Sequence, residues 1–247
     1  MRRLLPDAGP TDVQEQIRQL DPISNPPADR PYVITNFAVT VDGQATLHGH
    51  SGPIGSRTDT DLLVGLRTRV DAVMIGAGTM RVERYGRPVA DPAKRGRREG
   101  RGLSQDPVLI IVSGRLDLPW DAPVFGDRGA HVLIFTASDA SPPETQAQVR
   151  VVRHERDVDL PSALAYLRRE RGVRALLCEG GPRLHAQLIY AELVDELFIT
   201  IAPKLAGGHG PGLAVGLSEL ERPLELVWLL DSGGELFARY RVSRKAD

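Results

Sequence analysis

"LLCEGGPRLHAQL", Leu176 to Leu188, joins an apolar run to a helical pattern through an acidic residue, two glycines and a proline. Leu176 to Glu179 reads as the end of a buried strand. Pro182 suits a first helical position, because its φ is preset and it needs no N–H there. Leu184, Leu188 and Ile189 then face one way, toward a core. Gly180 and Gly181 carry no side chain to hold a ligand off the backbone. The amides of Gly181, Arg183 and Leu184, at the positive end of a helix, can therefore cradle a phosphate. The same residues would equally make a plain tight turn.

A second stretch, "DAVMIGAGTMRVERYG" from Asp71, repeats the arrangement. A buried strand runs to Ile75, and Gly76-Ala77-Gly78-Thr79 follows with bare amides and a hydroxyl that can grip a second phosphate or a ribose. Counted from Gly76, the sixth place of a G-x-G-x-x-G fingerprint holds Arg81, so the Rossmann signature fails. Open α/β sheets gather ligands beyond the carboxyl ends of their strands. Two such turns in a non-Rossmann sheet suit a dinucleotide.

The remaining pattern sets the fold class. "YVITNFAVT", "PVLIIVS", "AHVLIF", "RALLCE" and "VDELFITIAP" read as interior strands. Helices are expected over "TDTDLLVGLRTRV", where Thr58 and Asp61 have capping-box spacing, over Leu160 to Arg171 with Gly172 as the stop, and from Pro182. Tyr85 to Asp106, polar and rich in Gly and Arg, reads as a long loop. "LELVWLL" and "ELFARYRV" form a closing antiparallel hairpin around Ser232-Gly233-Gly234. The whole is one α/β domain, a mixed and mostly parallel sheet flanked by helices, over residues 31–247. Residues 1–30 hold prolines 6, 22, 26 and 27 around a short helix from Asp12 to Leu20, and read as an extension that wraps or trails it.

With 247 residues, 41% hydrophobic and 26% charged, and a formal net charge of −1, the chain lacks the cationic excess on which general nucleic-acid or anionic-membrane binding draws. No signal-peptide or membrane-span run occurs, and the lone Cys178 suits a reducing compartment, so a cytoplasmic protein is expected. His48-Gly49-His50 has no acidic or Cys partners to complete a metal site. Ser51 lacks the hydrolase elbow, and "KRGRREGR" from Lys94 has no interleaved aromatics for RNA.

From Pro31 to Val242 the chain resembles the dihydrofolate-reductase-like pyrimidine reductases of riboflavin biosynthesis, in a stand-alone form. The marks are "NFAVTVDG", "LRTRVDAVMIGAGT", "IIVSGR" and the long "LLCEGGPRLHAQLIYAELVDELFITIAPKLAGG", in the family's order. The resemblance implies a single-domain dihydrofolate-reductase-like fold and transfer of a hydride from NADPH to C1′ of a phosphoribosylamino-pyrimidine. It implies coenzyme contacts at Val39, Pro53, Thr79, Glu83, Ser113 and Gly181 to Gln187, and substrate contacts at Ser51, Arg67 and Glu179. A homodimer is expected on the same ground, and from the apolar closing strands.

Residue chemistry adds candidates. Glu179 can bind ring N–H groups or stabilise a protonated imine, and Arg67 can take a phosphate bidentately. Asn36, where several bacterial members carry Lys, keeps hydrogen bonding without a cation; with Glu179 and Asp42 it completes the expected catalytic set. Arg115 is a candidate for the 2′-phosphate of NADP, and Gly76, Gly78, Gly180 and Pro182 shape the coenzyme turns. One departure stands out: Tyr85 occupies the family's usual Pro position and Ala90 its later basic one, with Arg84 or Arg87 as candidate replacements. A pterin reductase of the same fold and a non-catalytic dinucleotide-binding module remain open.

Overall fold

The computed structural model describes residues 1–216 and 221–243. The N-terminal residues enter the sheet: β1 (Arg2–Leu5) pairs antiparallel with the short β2 (Gly9–Pro10). Next comes α1 (Val13–Arg18), capped by the Asp12 carboxylate accepting from the Glu15 amide. β3 (Tyr32–Thr40) runs through the middle of the sheet, as its β-branched and aromatic content predicts.

α2 (Arg57–Arg67) starts two residues earlier than the Thr58 capping box predicts. Its N-cap is Ser56, whose hydroxyl accepts from the amides of Thr58 and Asp59. β4 (Ala72–Gly76) leads straight into α3 (Ala77–Glu83). The stretch expected to be a loop from Tyr85 to Asp106 contains α4 (Pro92–Glu99), with Asp91 as N-cap and Pro92 at the first helical position. An apolar face is not what holds α4. Fully buried Arg98 donates through Nε to the Ser104 carbonyl at 2.8 Å and through Nη1 to the Val70 carbonyl at 2.8 Å and that of Arg67. A guanidinium satisfying the last carbonyl of α2 and that of Val70 just beyond it replaces hydrophobic docking, so hydrophobic periodicity could not reveal the helix.

β5 (Val108–Val112), β6 (His131–Thr136) and β7 (Gln148–Arg153) follow, then α5 (Leu160–Arg171), closed by Gly172 at φ 64°. β8 (Ala175–Cys178), α6 (Pro182–Tyr190) and β9 (Glu196–Ala202) precede the hairpin of β10 (Leu224–Ser232) and β11 (Glu235–Val242). Among the described residues the sheet has eleven strands in the order β2-β1-β10-β11-β9-β3-β8-β4-β5-β6-β7. From β9 to β7 every neighbouring pair is parallel; from β9 to β2 every pair is antiparallel.

Alternation along the parallel strands divides the core into two layers. Ile34, Ile75, Ile111 and Leu177 pack with α1 and α2 on one face, while Val33, Met74, Ile110 and Cys178 pack with α5 and α6 on the other. Each such buried aliphatic side chain contributes about 1.5–3 kcal/mol. The arrangement leaves one crowded rim, at the carboxyl ends of β3, β8, β4 and β5. No described helix is long and apolar enough to cross a membrane.

Candidate active site

Both glycine turns lie on this rim and touch each other. The Gly76 amide donates to the Gly180 carbonyl at 2.8 Å, which locks the end of β4 to the turn after β8. Gly180 has φ 114°, a backbone region that only glycine adopts without strain. Gly181 has an ordinary φ of −82°, so its reason is space: a Cβ there would lie 2.9 Å from Thr79 Oγ1. Around Gly78 a Cβ would meet nothing within 4 Å. The first amides of α3 and α6, which have no acceptor inside their own helices, thus border a gap that side chains leave open. Bare donors, a neighbouring hydroxyl and a cradle that one methyl group would narrow fit the phosphates of a dinucleotide.

On the α2 side of the rim, the register Thr35 to Cys178 sets Asn36 beside Glu179. Glu179 is almost wholly buried and doubly bound to Arg67: Nε to Oε1 at 2.6 Å and Nη2 to Oε2 at 2.6 Å. Tyr85 donates its hydroxyl to Glu179 Oε2 at 2.8 Å, and the Arg67 guanidinium lies 5.5 Å from its ring centroid. Arg67 also donates to the Pro88 carbonyl at 3.0 Å. Burial would depress the guanidinium pKa, but the Glu179 carboxylate outweighs it and the net shift is upward. For Tyr85, burial and then the same carboxylate push the phenol well above its ordinary value. Arg67 therefore stays cationic and the Tyr85 phenol neutral near pH 7. Asn36 is buried, and its Oδ1 has no hydrogen-bond partner among the described residues.

The other expected residues sort by what they hold. Ser51 donates its amide and hydroxyl to Glu83 Oε1 at 3.0 and 2.8 Å, joining a substrate candidate to a coenzyme candidate. Asp42 accepts from Thr40 Oγ1 at 2.6 Å and from the amides of Ala206 and Gly207 at 3.1 and 2.7 Å, and these bonds, the Thr40 hydroxyl first, hold its pKa down to about 2. Val39 and Ser113 are buried at the ends of β3 and β5. Leu184 is buried, whereas Arg115 and Arg183 are exposed, their side chains making no hydrogen bond or ion pair to another described residue. Arg84 and Arg87 are both committed, to Asp121 at 2.7 Å and to Asp106 at 2.6 Å.

Two participants, Tyr85 and Lys204, escaped the sequence reading, and a third, His185, was covered only as part of the Gly181 to Gln187 coenzyme stretch. Tyr85 was read only as a departure, yet it completes the Glu179 network. His185, fully buried, stacks on Phe37 at 4.3 Å between ring centroids, and its Nδ1 faces the Leu213 carbonyl at 3.1 Å. Desolvation lowers its pKa to about 4, so the ring is neutral. Lys204 donates to the carbonyls of Pro53 and Ile54 at 2.7 and 2.8 Å. A buried His one turn into α6 and a Lys just past a strand end were the only available signals.

Residues 31–233 match the RibD C-terminal domain family. The chain belongs to that family. Among RibD-type relatives, it is 31% identical over 223 residues to a 2,5-diamino-6-ribosylamino-4(3H)-pyrimidinone 5′-phosphate reductase of Methanothermobacter thermautotrophicus, across 86% of this chain and 99% of the relative. A protein of the same description from Archaeoglobus fulgidus is 31% identical over 219 residues, across 85% and 99% of the two chains. In three dimensions, a pyrimidine reductase-like protein from Corynebacterium diphtheriae superposes with a TM-score of 0.81 at 26% identity, over 95% of this chain and all of that one. The dihydrofolate-reductase-like fold of the RibD C-terminal domain is thus the fold of this chain.

Proposed function

We propose that this chain is the NADPH-dependent reductase of riboflavin biosynthesis that opens the ribosyl ring of the diaminopyrimidinone 5′-phosphate to a ribityl chain. The observation that carries the reading is the Gly180 carbonyl bond to the Gly76 amide, which brings two amide-lined turns together beside the Arg67–Glu179 pair. The near full-length match to two diaminopyrimidinone reductases supports that substrate over the deaminated uracil.

NADPH, when bound, supplies a hydride to C1′ of the sugar. The chain's own work is to bind, orient and exclude water. Amides of Gly78, Thr79, Gly181, Arg183 and Leu184 take the coenzyme phosphates, and exposed Arg115 takes the 2′-phosphate. Asn36 Oδ1, lacking a donor among the described residues, is the natural acceptor for a ring N–H, because a buried acceptor left unmade costs about 1–3 kcal/mol. Glu179, held by Arg67 and Tyr85, presents a fixed negative edge next to it. Asp42 acts at one remove, bonding the turn after β9 to the end of β3. Holding hydride donor and acceptor carbon about 3–3.5 Å apart counts for more here than a strong acid or base.

We further place the enzyme in the cytoplasm, in keeping with one buried thiol, and expect a homodimer, to which exposed Leu224 and Leu226 on β10 offer apolar surface. The test follows oxidation of NADPH by the purified chain with the diaminopyrimidinone phosphate, its deaminated uracil counterpart and dihydrofolate in parallel. Turnover of the first alone is expected. Turnover of dihydrofolate alone, or none with any of them, overturns the reading.

A further inference from the structure

We propose that Lys204 is a positioning residue for coenzyme binding: its ammonium clamps the Pro53–Ile54 backbone and so sets the turn that carries Ser51 and Pro53 along the rim. The inference rests on the coenzyme reading above and adds a residue to it.

A surface lysine ordinarily keeps its head in water, since fixing its flexible stem costs rotamer entropy. Lys204 does otherwise. It is exposed, yet Nζ donates to two consecutive carbonyls, Pro53 at 2.7 Å and Ile54 at 2.8 Å, and it makes no ion pair within the described residues. Its own backbone is equally fixed: its amide donates to the Ala202 carbonyl at 2.7 Å and its carbonyl accepts from the Val41 amide at 3.0 Å. Two residues on, Ala206 and Gly207 grip Asp42. One short turn after β9 therefore joins the end of β3 to the 51–54 turn.

That second turn is tied elsewhere as well, by Ser51 to Glu83 of α3 and by Ser56 to Glu235 at the start of β11. Ile54 is its buried anchor. The lysine bonds differ from these ties in one respect. Removing the ammonium returns the Pro53 carbonyl, in an exposed bond, to water, whereas removing Glu83 or Glu235 strips the carboxylate that holds Ser51 or the α2 cap Ser56. The clamp thus acts on the placement of Ser51 and Pro53 and leaves the fold's stability almost untouched.

The test compares wild type, Lys204→Met and Lys204→Arg in the full chain by NADPH titration, steady-state kinetics and amide hydrogen exchange. Loss of two charge-assisted bonds from a partly tethered turn is expected to weaken NADPH binding on the order of tenfold, with kcat at saturating coenzyme changed by no more than about twofold. Exchange is expected to quicken at residues 51–55 and not in the central strands, and Lys204→Arg, which keeps a cation and donors, is expected to recover part of the loss. Unchanged coenzyme affinity and unchanged exchange at 51–55 in Lys204→Met overturn the proposal; so does faster exchange throughout the sheet, which marks a general structural role. If wild type itself fails to bind NADPH, the functional reading falls, and local exchange at 51–55 still decides whether the clamp exists.

Discussion

Arg67→Met isolates the electrostatics of the site. Glu179 has a side chain only 2% exposed, and Arg67 is at 15%. The carboxylate takes two bonds from the guanidinium, both 2.6 Å, and one from Tyr85 at 2.8 Å. Met fills similar volume but supplies no donor, so a buried anion is left with a single phenol. Breaking a buried pair from one side costs about 3–5 kcal/mol. In a chain of this size 1 kcal/mol moves the melting temperature by about 2–4 °C, so Arg67→Met is expected to lower it by about 6–20 °C. Arg67→Met combined with Glu179→Leu removes both charges, and is expected to melt well above the single variant. Thermal unfolding followed by circular dichroism measures both. A single variant that melts within about 2 °C of wild type, or a double variant no better than the single, refutes the idea that a desolvated ion pair holds this corner.

Four further expectations follow from the same geometry. Glu179→Gln keeps the shape but not the charge: NADPH should still bind while turnover drops at least about tenfold, the worth of roughly 1.4 kcal/mol, and a fully active variant would clear Glu179 of any part in the reaction. Gly181→Ala places a methyl 2.9 Å from Thr79 Oγ1, so coenzyme affinity should fall about tenfold or more while the circular dichroism spectrum persists; equal affinity removes the phosphate role. Cys178 is fully buried, with its thiol pushed up to about 12 by desolvation, so a thiol reagent should label it only after denaturant unfolds the chain. His185 is held neutral with a pKa of about 4 against an unfolded value near 6.5. The unfolded chain then binds more protons in that window, so this residue makes stability fall by about 3 kcal/mol as pH drops from 6.5 to 4, and denaturant titrations of His185→Phe should show a shallower fall.

The parts of the fold most legible in the sequence were those set by hydrophobic period and turn chemistry. Gly172, Gly180 and Pro182 marked element ends, and the apolar runs from Tyr32 and Ala175 became neighbouring interior strands, with that from Val108 two places beyond. α4 was hidden because Arg98, not an apolar face, fastens it. β7 was hidden because this edge strand buries no residue fully: the valines of "QVRVVR" are only half-buried and its other residues exposed. At the site, spacing placed Glu179 and the two glycine turns on one rim, yet could not show that Arg67 and Glu179 bind each other, nor that Ser51 and Glu83 do. Those contacts join residues far apart in the chain, and no local pattern encodes them.

Holding Arg67 still demands more than its bond to Glu179, because a long side chain is only as fixed as the helix beneath it. Three supports converge on α2. Leu62 and Leu66 bury its inner face against the sheet. Arg98 of α4 grips its final carbonyl, that of Arg67 itself, and the Val70 carbonyl just past the helix end. The third comes from residues that lie outside the family match: Ile17 of α1 packs so closely on Gly65 that a Cβ there would stand 2.8 Å from Ile17 Cγ1. The N-terminal segment is pinned in turn by β1 on β10 and by the buried bidentate pair of Arg30 with Asp195, at 2.6 and 2.8 Å. Gly65 precedes Arg67 by two residues, so the segment bears on the stretch of helix from which the guanidinium reaches Glu179. Residues 1–30 therefore contribute to the geometry of the site without touching it, through the rigidity of one helix end.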